Sequence, residues 1–342
     1  MKRILKTLYS QSVFITRLLY GGIGHILMLH RVCPSIPGVR LQGNAGMEMT
    51  PEKLVAIIQF FRDRDYDFIS LDQLLQRLAN RKNKRKFVIF TFDDGYVDNY
   101  LHAYPIFRKH QVPFTIYVAT SFPDRAAILW WYILEDLLLE KDNIVVNQSN
   151  GKREFNCSSL NEKEETFREI RSIIINSSPS EYIETIIKIF EPYGIDLYGK
   201  TSELTMSWEQ IELLSRDLLV TIGAHTVNHY MLSNISPAKV KDEILMSKHR
   251  LESCLGKEVN HFAYPYGGRE EAGQREFELV KECGFETAVT ARFANIFRAH
   301  RRHLQCLPRI FIHSMADHGF LKQVVNGTLT GMANRFKRVI SV

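Results

Sequence analysis

Short apolar runs closed by turn-forming residues recur along the chain: Ile26–Leu29, Phe87–Phe92, Phe114–Val118, Val220–Ala224, Phe262–Tyr264, Thr287–Thr290 and Cys306–Ile312. Their shortness and β-branched content suit strands buried on both faces of a parallel sheet. Between them, apolar positions repeat at helical spacing. Pro51–Arg64 is predicted as a helix with Thr50 as N-cap and proline in its first turn. Leu71–Leu78 is predicted as a second, capped by Ser70. Ser236–Leu255 follows, with Ser236 as cap, Pro237 at the first position and Gly256 as the stop. Phe277–Cys283 is a fourth, ended by Gly284. Strand alternating with helix predicts an α/β fold built on a parallel sheet or barrel.

One stretch breaks this rhythm. From Trp130 to about Ser207 the chain is polar, charged and mostly helical in pattern, as in Asn161–Ile175 and Ser180–Phe190. It reads as a helical insertion between two strands. Such an excursion either shapes substrate choice or is a purely structural addition. Trp130 and Trp131 open it. Aromatic faces can line a substrate cleft, although at least one of the two is expected in the core.

Composition narrows the picture further. With 342 residues, 45% hydrophobic and 24% charged, the chain has ample material for one large domain or two medium ones. The net charge of +6 is too mild for a nucleic-acid binder, so no nucleic-acid partner is expected. The basic excess gathers at the ends: Lys2, Arg3, Lys6 and Arg17 at the front, Arg298, Arg301, Arg302, Arg335, Lys337 and Arg338 at the back. Ser10, Gln11, Ser12, Thr16 and Arg17 interrupt any apolar run at the start, so neither a cleaved leader nor a spanning helix is expected. Two readings of residues 1–24 stay open: a basic amphipathic helix on a membrane surface, or one packed on the protein's own barrel. Cys33, Cys157, Cys254, Cys283 and Cys306 lack the short spacings of a zinc knuckle or redox pair, and read as thiols in a reducing compartment.

Candidate chemistry sits at strand ends. Thr91-Phe92-Asp93-Asp94-Gly95 places two carboxylates where an apolar run meets a glycine turn. Burying charge there is costly unless a cation compensates, and in α/β barrels that position faces the active site. Adjacent carboxylates can divide the work, one binding a cation and the other acting as base. His225-Thr226-Val227-Asn228-His229 follows another apolar run, with two histidines at metal-ligand spacing, on a helical turn or in a strand-end loop. Two nitrogens and one oxygen would leave a divalent metal an open position for water, the arrangement of a hydrolytic site. Tyr264-Pro265-Tyr266-Gly267 is a turn whose N–H groups can face a developing oxyanion.

Thr91–Gly95, His225–His229 and Tyr264–Gly267, in this order, resemble the polysaccharide deacetylase superfamily, also called carbohydrate esterase family four or the NodB-homology domain. The resemblance covers roughly residues 25 to 312 and is weakest over the insertion. It implies a distorted (β/α) barrel of about seven parallel strands over residues 25–315, followed by a basic C-terminal helix or tail at 316–342. It implies a divalent metal, usually zinc, held by Asp94, His225 and His229. Asp93 would be the general base, and the Tyr266 N–H would help stabilise the oxyanion.

Two departures matter. The arginine usual shortly before the Pro-Tyr-Gly turn is replaced by Phe262, Ala263 and Tyr264, and the late Leu-x-His motif is not clean. Leu29-His30-Arg31 and Leu307-Pro308-Arg309 are similar to segments of the poly-N-acetylglucosamine deacetylase branch. By that likeness His30 is the general acid and Arg309 steadies Asp93; His313, one residue past an apolar run, is the competing acid. The implied activity is removal of the N-acetyl group from an amino sugar of a bacterial polysaccharide or its lipid- or nucleotide-linked precursor. An O-acetyl esterase and an inactive sugar-binding module are the alternatives. The expected setting is cytoplasmic, with peripheral contact at the inner, anionic membrane face.

Overall fold

Every apolar run named above becomes a strand. The computed structural model describes residues 14–80, 82–148, 151–178 and 180–338. Its strands are β1 (Gly24–Leu29), β2 (Arg31–Val32), β3 (Glu48–Met49), β4 (Asp67–Phe68), β5 (Phe87–Phe92) and β6 (Phe114–Val118), then β7 (Asn143–Gln148), β8 (Gly151–Asn156), β9 (Val220–Ala224), β10 (His261–Ala263), β11 (Thr287–Phe293) and β12 (Leu307–Phe311). Seven of them run parallel in the order β1-β12-β11-β10-β9-β6-β5, and β1 pairs with β5 to close a barrel. Strand β4 adds to the first two residues of β5.

Alternation along the strands explains the closure. Ile26, Ile89, Tyr117, Ala263, Val289 and Leu307 form one buried cluster, the barrel's filling. Their neighbours Leu27, Val88, Phe90, Ile116 and Phe262 belong to a second cluster with the surrounding helices. Side chains of successive strand residues point to opposite faces, so strands covered on both sides must be apolar throughout.

The helix starts show where local chemistry prevailed. Thr50 Oγ1 and Ser236 Oγ accept from the N–H groups of Lys53 and Lys239, and Gly256 ends its helix at φ 65°. The second helix runs Leu74–Ala79 rather than Leu71–Leu78, and Ser70 is not its cap. Instead the Ser70 N–H donates to Gln73 Oε1 at 3.1 Å, which stabilises a turn ahead of the helix. The fourth helix, Gln274–Glu282, starts earlier than its apolar pattern, because the Glu276 carboxylate accepts from the Gly273 N–H at 2.7 Å.

The insertion is not wholly helical. Its helices Trp130–Glu140, Leu160–Ile175 and Tyr182–Phe190 are joined by the antiparallel hairpin β7–β8. Trp130, Ile133, Leu137, Ile144, Phe167 and Ile189 belong to an apolar cluster of their own. At the chain's front, residues 14–20 are helical, and the Tyr20 ring lies 5.9 Å from that of Phe336. The earlier part of the expected amphipathic segment, with Lys2, Arg3 and Lys6, lies outside the described residues. The back of the chain forms two short helices, His318–Val325 and Thr328–Ala333. Among the described residues no helix is long and apolar enough to cross a membrane, and none of the five cysteines is in a disulfide.

Candidate metal centre and catalytic pocket

The C-terminal tips of the barrel strands turn sharply, and the turns aim polar side chains inward. At the end of β5 the Asp93 N–H still donates to Leu29 O at 3.0 Å, after which Asp94 and Gly95 take φ values of 76° and 83°. At the end of β9, Thr226 and His229 sit at φ 66° and 56°, and beyond β10 Tyr266 sits at 61°. Such angles are uncommon for non-glycine residues and an outlier for β-branched Thr226. Hydrogen bonds hold them. Thr226 Oγ1 accepts from the His229 N–H at 3.0 Å, and Glu243 Oε2 accepts from the N–H groups of Val227 and Asn228 at 3.0 and 2.8 Å. The two histidines therefore lie in a strand-end loop rather than on a helical turn.

These turns bring Asp94, His225 and His229 together. Asp94 Oδ1 lies 3.4 Å from His225 Nε2 and 3.3 Å from His229 Nε2. One candidate ligand atom from each residue falls within 4.8 Å of the others. His225 Nδ1 lies 2.7 Å from Ala263 O, so that nitrogen carries the proton and Nε2 presents a lone pair. Asp94 Oδ1 is buried and receives no hydrogen bond. Oxygen and nitrogen lone pairs thus converge on one point, and this donor set fits a divalent cation such as zinc. Burial pushes the Asp94 carboxyl up; the two imidazoles in their protonated form outweigh it and hold it well below the usual carboxylate range, and a cation held in place of those protons would act in the same direction.

Asp93 is held differently. Arg309, 1% exposed, reaches from β12 and donates from both terminal nitrogens to its two carboxylate oxygens, at 2.6 and 2.7 Å. Arg309 Nε donates to Thr290 O at 3.0 Å, which fixes the fork's orientation. Burial raises the Asp93 carboxyl, and the guanidinium more than offsets this, leaving it below its ordinary value.

A cavity of about 650 Å³ opens over these groups. His30, at the tip of β1, lines it, with its ring edge-on to Phe311 at 5.7 Å. Burial lowers the His30 pKa, while the charges of Asp94 and Asp93 oppose that shift. His313 lies elsewhere: its Nδ1 accepts from the Met315 N–H at 3.1 Å and its ring packs on Phe320. The Tyr266 N–H donates to no acceptor among the described residues.

Several contributors were not singled out from sequence. Gln42–Asn44 and Met47 form one wall, and Glu164, Phe167, Arg168 and Arg171 of the insertion form another. Trp130 is core, its Nε1 donating to Tyr182 Oη at 2.9 Å, whereas Trp131 stands 6.0 Å from the His229 ring. A buried chain of charges ties the walls together. Asp98 pairs with Arg31 at 2.6 Å, Arg31 with Glu48 at 3.2 Å, Glu48 with Arg40 at 2.7 Å, and Arg40 with Glu135 at 2.9 Å. Glu243 had a legible signal, a carboxylate on the apolar face of its helix beside Val240, Ile244 and Leu251.

Comparison with known proteins agrees with this architecture. The polysaccharide deacetylase family profile matches residues 80–153 and 163–288. A putative polysaccharide deacetylase, YxkH, of Bacillus subtilis (strain 168) is 30% identical over 94 residues, which span 27% of this chain and 30% of that protein. The fold is similar to that of the Streptococcus pyogenes deacetylase PplD, solved with acetate, at a TM-score of 0.58 and 20% identity, covering 88% of this chain and 97% of that one. It is also similar to a de-N-acetylase from Aggregatibacter actinomycetemcomitans (TM-score 0.57, 14% identity, covering 88% and 99%). IcaB from Ammonifex degensii gives a TM-score of 0.55 at 18% identity, covering 90% and 98%.

Proposed function

This chain belongs to the polysaccharide deacetylase family, and we propose that it is a metal-dependent hydrolase of the N-acetyl group of an amino sugar. The sugar would be part of a bacterial polysaccharide or of its lipid- or nucleotide-linked precursor. The observation that carries the reading is the convergence of Asp94, His225 and His229 on one point, beside a second carboxylate kept ionised by Arg309.

A zinc ion held by those three side chains would polarise the acetyl carbonyl and bring the pKa of an attacking water to about 7. Asp93 accepts the water's proton as its oxygen adds to the carbonyl carbon. The guanidinium of Arg309 keeps Asp93 ionised and fixes its plane. The Tyr266 N–H is free to donate to the oxyanion, a contribution typically worth about 3 kcal/mol. His30 gives its proton to the sugar nitrogen as the C–N bond breaks, releasing acetate and the free amine. Burial lowers the His30 pKa overall, and the charges of Asp94 and Asp93, which favour the protonated imidazole this step needs, offset part of that shift. A base and an acid needing opposite protonation give a bell-shaped pH profile.

The test is acetate release from N-acetylated oligosaccharides, with and without chelator. Asp93→Asn is expected to lower the rate by roughly 10²–10⁴-fold while bound metal stays unchanged. Normal turnover by that variant would overturn the base assignment. Release from O-acetylated glycans alone would make the chain an esterase, and no release with metal bound would leave it a binding module.

A further inference from the structure

The base of the barrel carries a surface that the reaction does not use. The helical residues 14–20 expose Phe14 (68%), Ile15 (54%) and Leu18 (75%), and the C-terminal segment exposes Met332 (67%) and Phe336 (65%). The two segments abut through Tyr20 and Phe336, and Asn295 Nδ2 donates to both Tyr20 O and Val324 O, at 2.9 and 3.0 Å. Arg17, Arg335, Lys337 and Arg338 belong to the same two segments. The chain has no Asp or Glu before Glu48 and none after Asp317.

We propose that this surface docks on an anionic lipid membrane. Large apolar side chains beside basic ones, with no acid in either segment, fit the boundary between headgroups and acyl chains. A second copy of this chain fits less well, because an isologous contact would set cationic patch against cationic patch.

The docked orientation follows from β1. Tyr20 precedes the start of that strand and His30 follows its end, so six residues at ~3.3 Å each separate the two ends by ~20 Å. The cavity therefore opens away from the bilayer, and the acetylated sugar must reach it from the aqueous side. Polymer segments and nucleotide-linked sugars meet that condition, as do lipid-linked glycans long enough to stand clear of the headgroups.

The full chain should be sedimented with phosphatidylglycerol-containing vesicles and with pure phosphatidylcholine vesicles. We expect partitioning at least about tenfold stronger onto the anionic vesicles, weakened by salt. Phe14→Glu with Leu18→Glu, and separately Arg335→Glu with Arg338→Glu, should each reduce binding about tenfold and leave acetate release from a soluble substrate unchanged. Equal binding to both vesicle types, or full binding by either variant, would overturn the proposal. So would a dimer in solution that Phe336→Glu dissolves while vesicles are ignored. Vesicle binding needs no turnover, so failure of the deacetylase reading would leave this result legible.

Discussion

The two ends of the barrel both bury histidines, and they treat them in opposite ways. At the base, His25 Nδ1 pairs with Asn295 Oδ1 at 2.8 Å and its Nε2 with Tyr66 Oη at 3.2 Å. His261 is likewise satisfied, by Thr287 Oγ1 at 2.8 Å and Asp72 Oδ1 at 3.0 Å. At the mouth, His30 Nδ1, His229 Nδ1 and Asp94 Oδ1 are buried and make no hydrogen bond among the described residues. The mouth also holds Asp94, Thr226, His229 and Tyr266 in left-handed backbone. An unpaired buried polar atom costs ~1–3 kcal/mol, and each such backbone residue about as much. Paired polar groups at one end hold the fold. Unpaired ones at the other are available for the coordination and proton transfer proposed above.

This contrast can be broken, and the largest effect should come from the mouth. Asp94→Asn should cut acetate release by roughly 10³-fold or more while the melting temperature measured in chelator stays level or rises. A large loss of stability in that assay would show Asp94 to be a structural group like those at the base. Arg309→Met, at the junction of the two regimes, should come next. Breaking a buried ion pair costs about 3–5 kcal/mol. With burial unopposed, the Asp93 carboxyl rises, so the acid limb of kcat/KM should move to higher pH. An acid limb that stays in place would mean that another group serves as base.

The smallest effect on turnover belongs to the base. Burial, helped by the Lys86 charge, takes the His25 pKa down from 6.5 to about 3. Between those values the unfolded chain binds a proton that the folded one refuses. Stability is therefore intact above pH 6.5 and falls as the pH drops, by about 1.4 kcal/mol per unit from this group. Denaturant titrations should show that slope flattened in His25→Gln, with turnover at neutral pH unchanged. An unchanged slope would place the acid sensitivity elsewhere.

Much of this was legible before any coordinates. Phe87–Phe92 and Phe114–Val118 announce buried parallel strands, and the carboxylates and histidines directly after such runs announce strand-tip chemistry. Arg309 and His30 entered through family likeness, and the fold brings the first onto Asp93 and the second into the cavity. Other features lacked a local signature. The hairpin of Asn143–Gln148 and Gly151–Asn156 is short and flanked by strong helical patterns, which masked its alternation. Asp98 and Glu135 lie far in sequence from Arg31 and Arg40, and only the folded barrel brings these opposite signs within reach. The same holds for Arg168 and Arg171, which read as a solvated helix face until that helix is laid across the cavity.

The insertion folds around an apolar centre of its own, separate from that of the barrel it overhangs. Residues on its outer side can therefore drift, lengthen or be exchanged, whereas Tyr132 and Leu204, packed with Tyr96, Ala119 and Phe122, and Glu135, paired with Arg40, stay tied to the barrel. The strand tips can be inherited as a fixed part while the outer face of the visor above them is refitted.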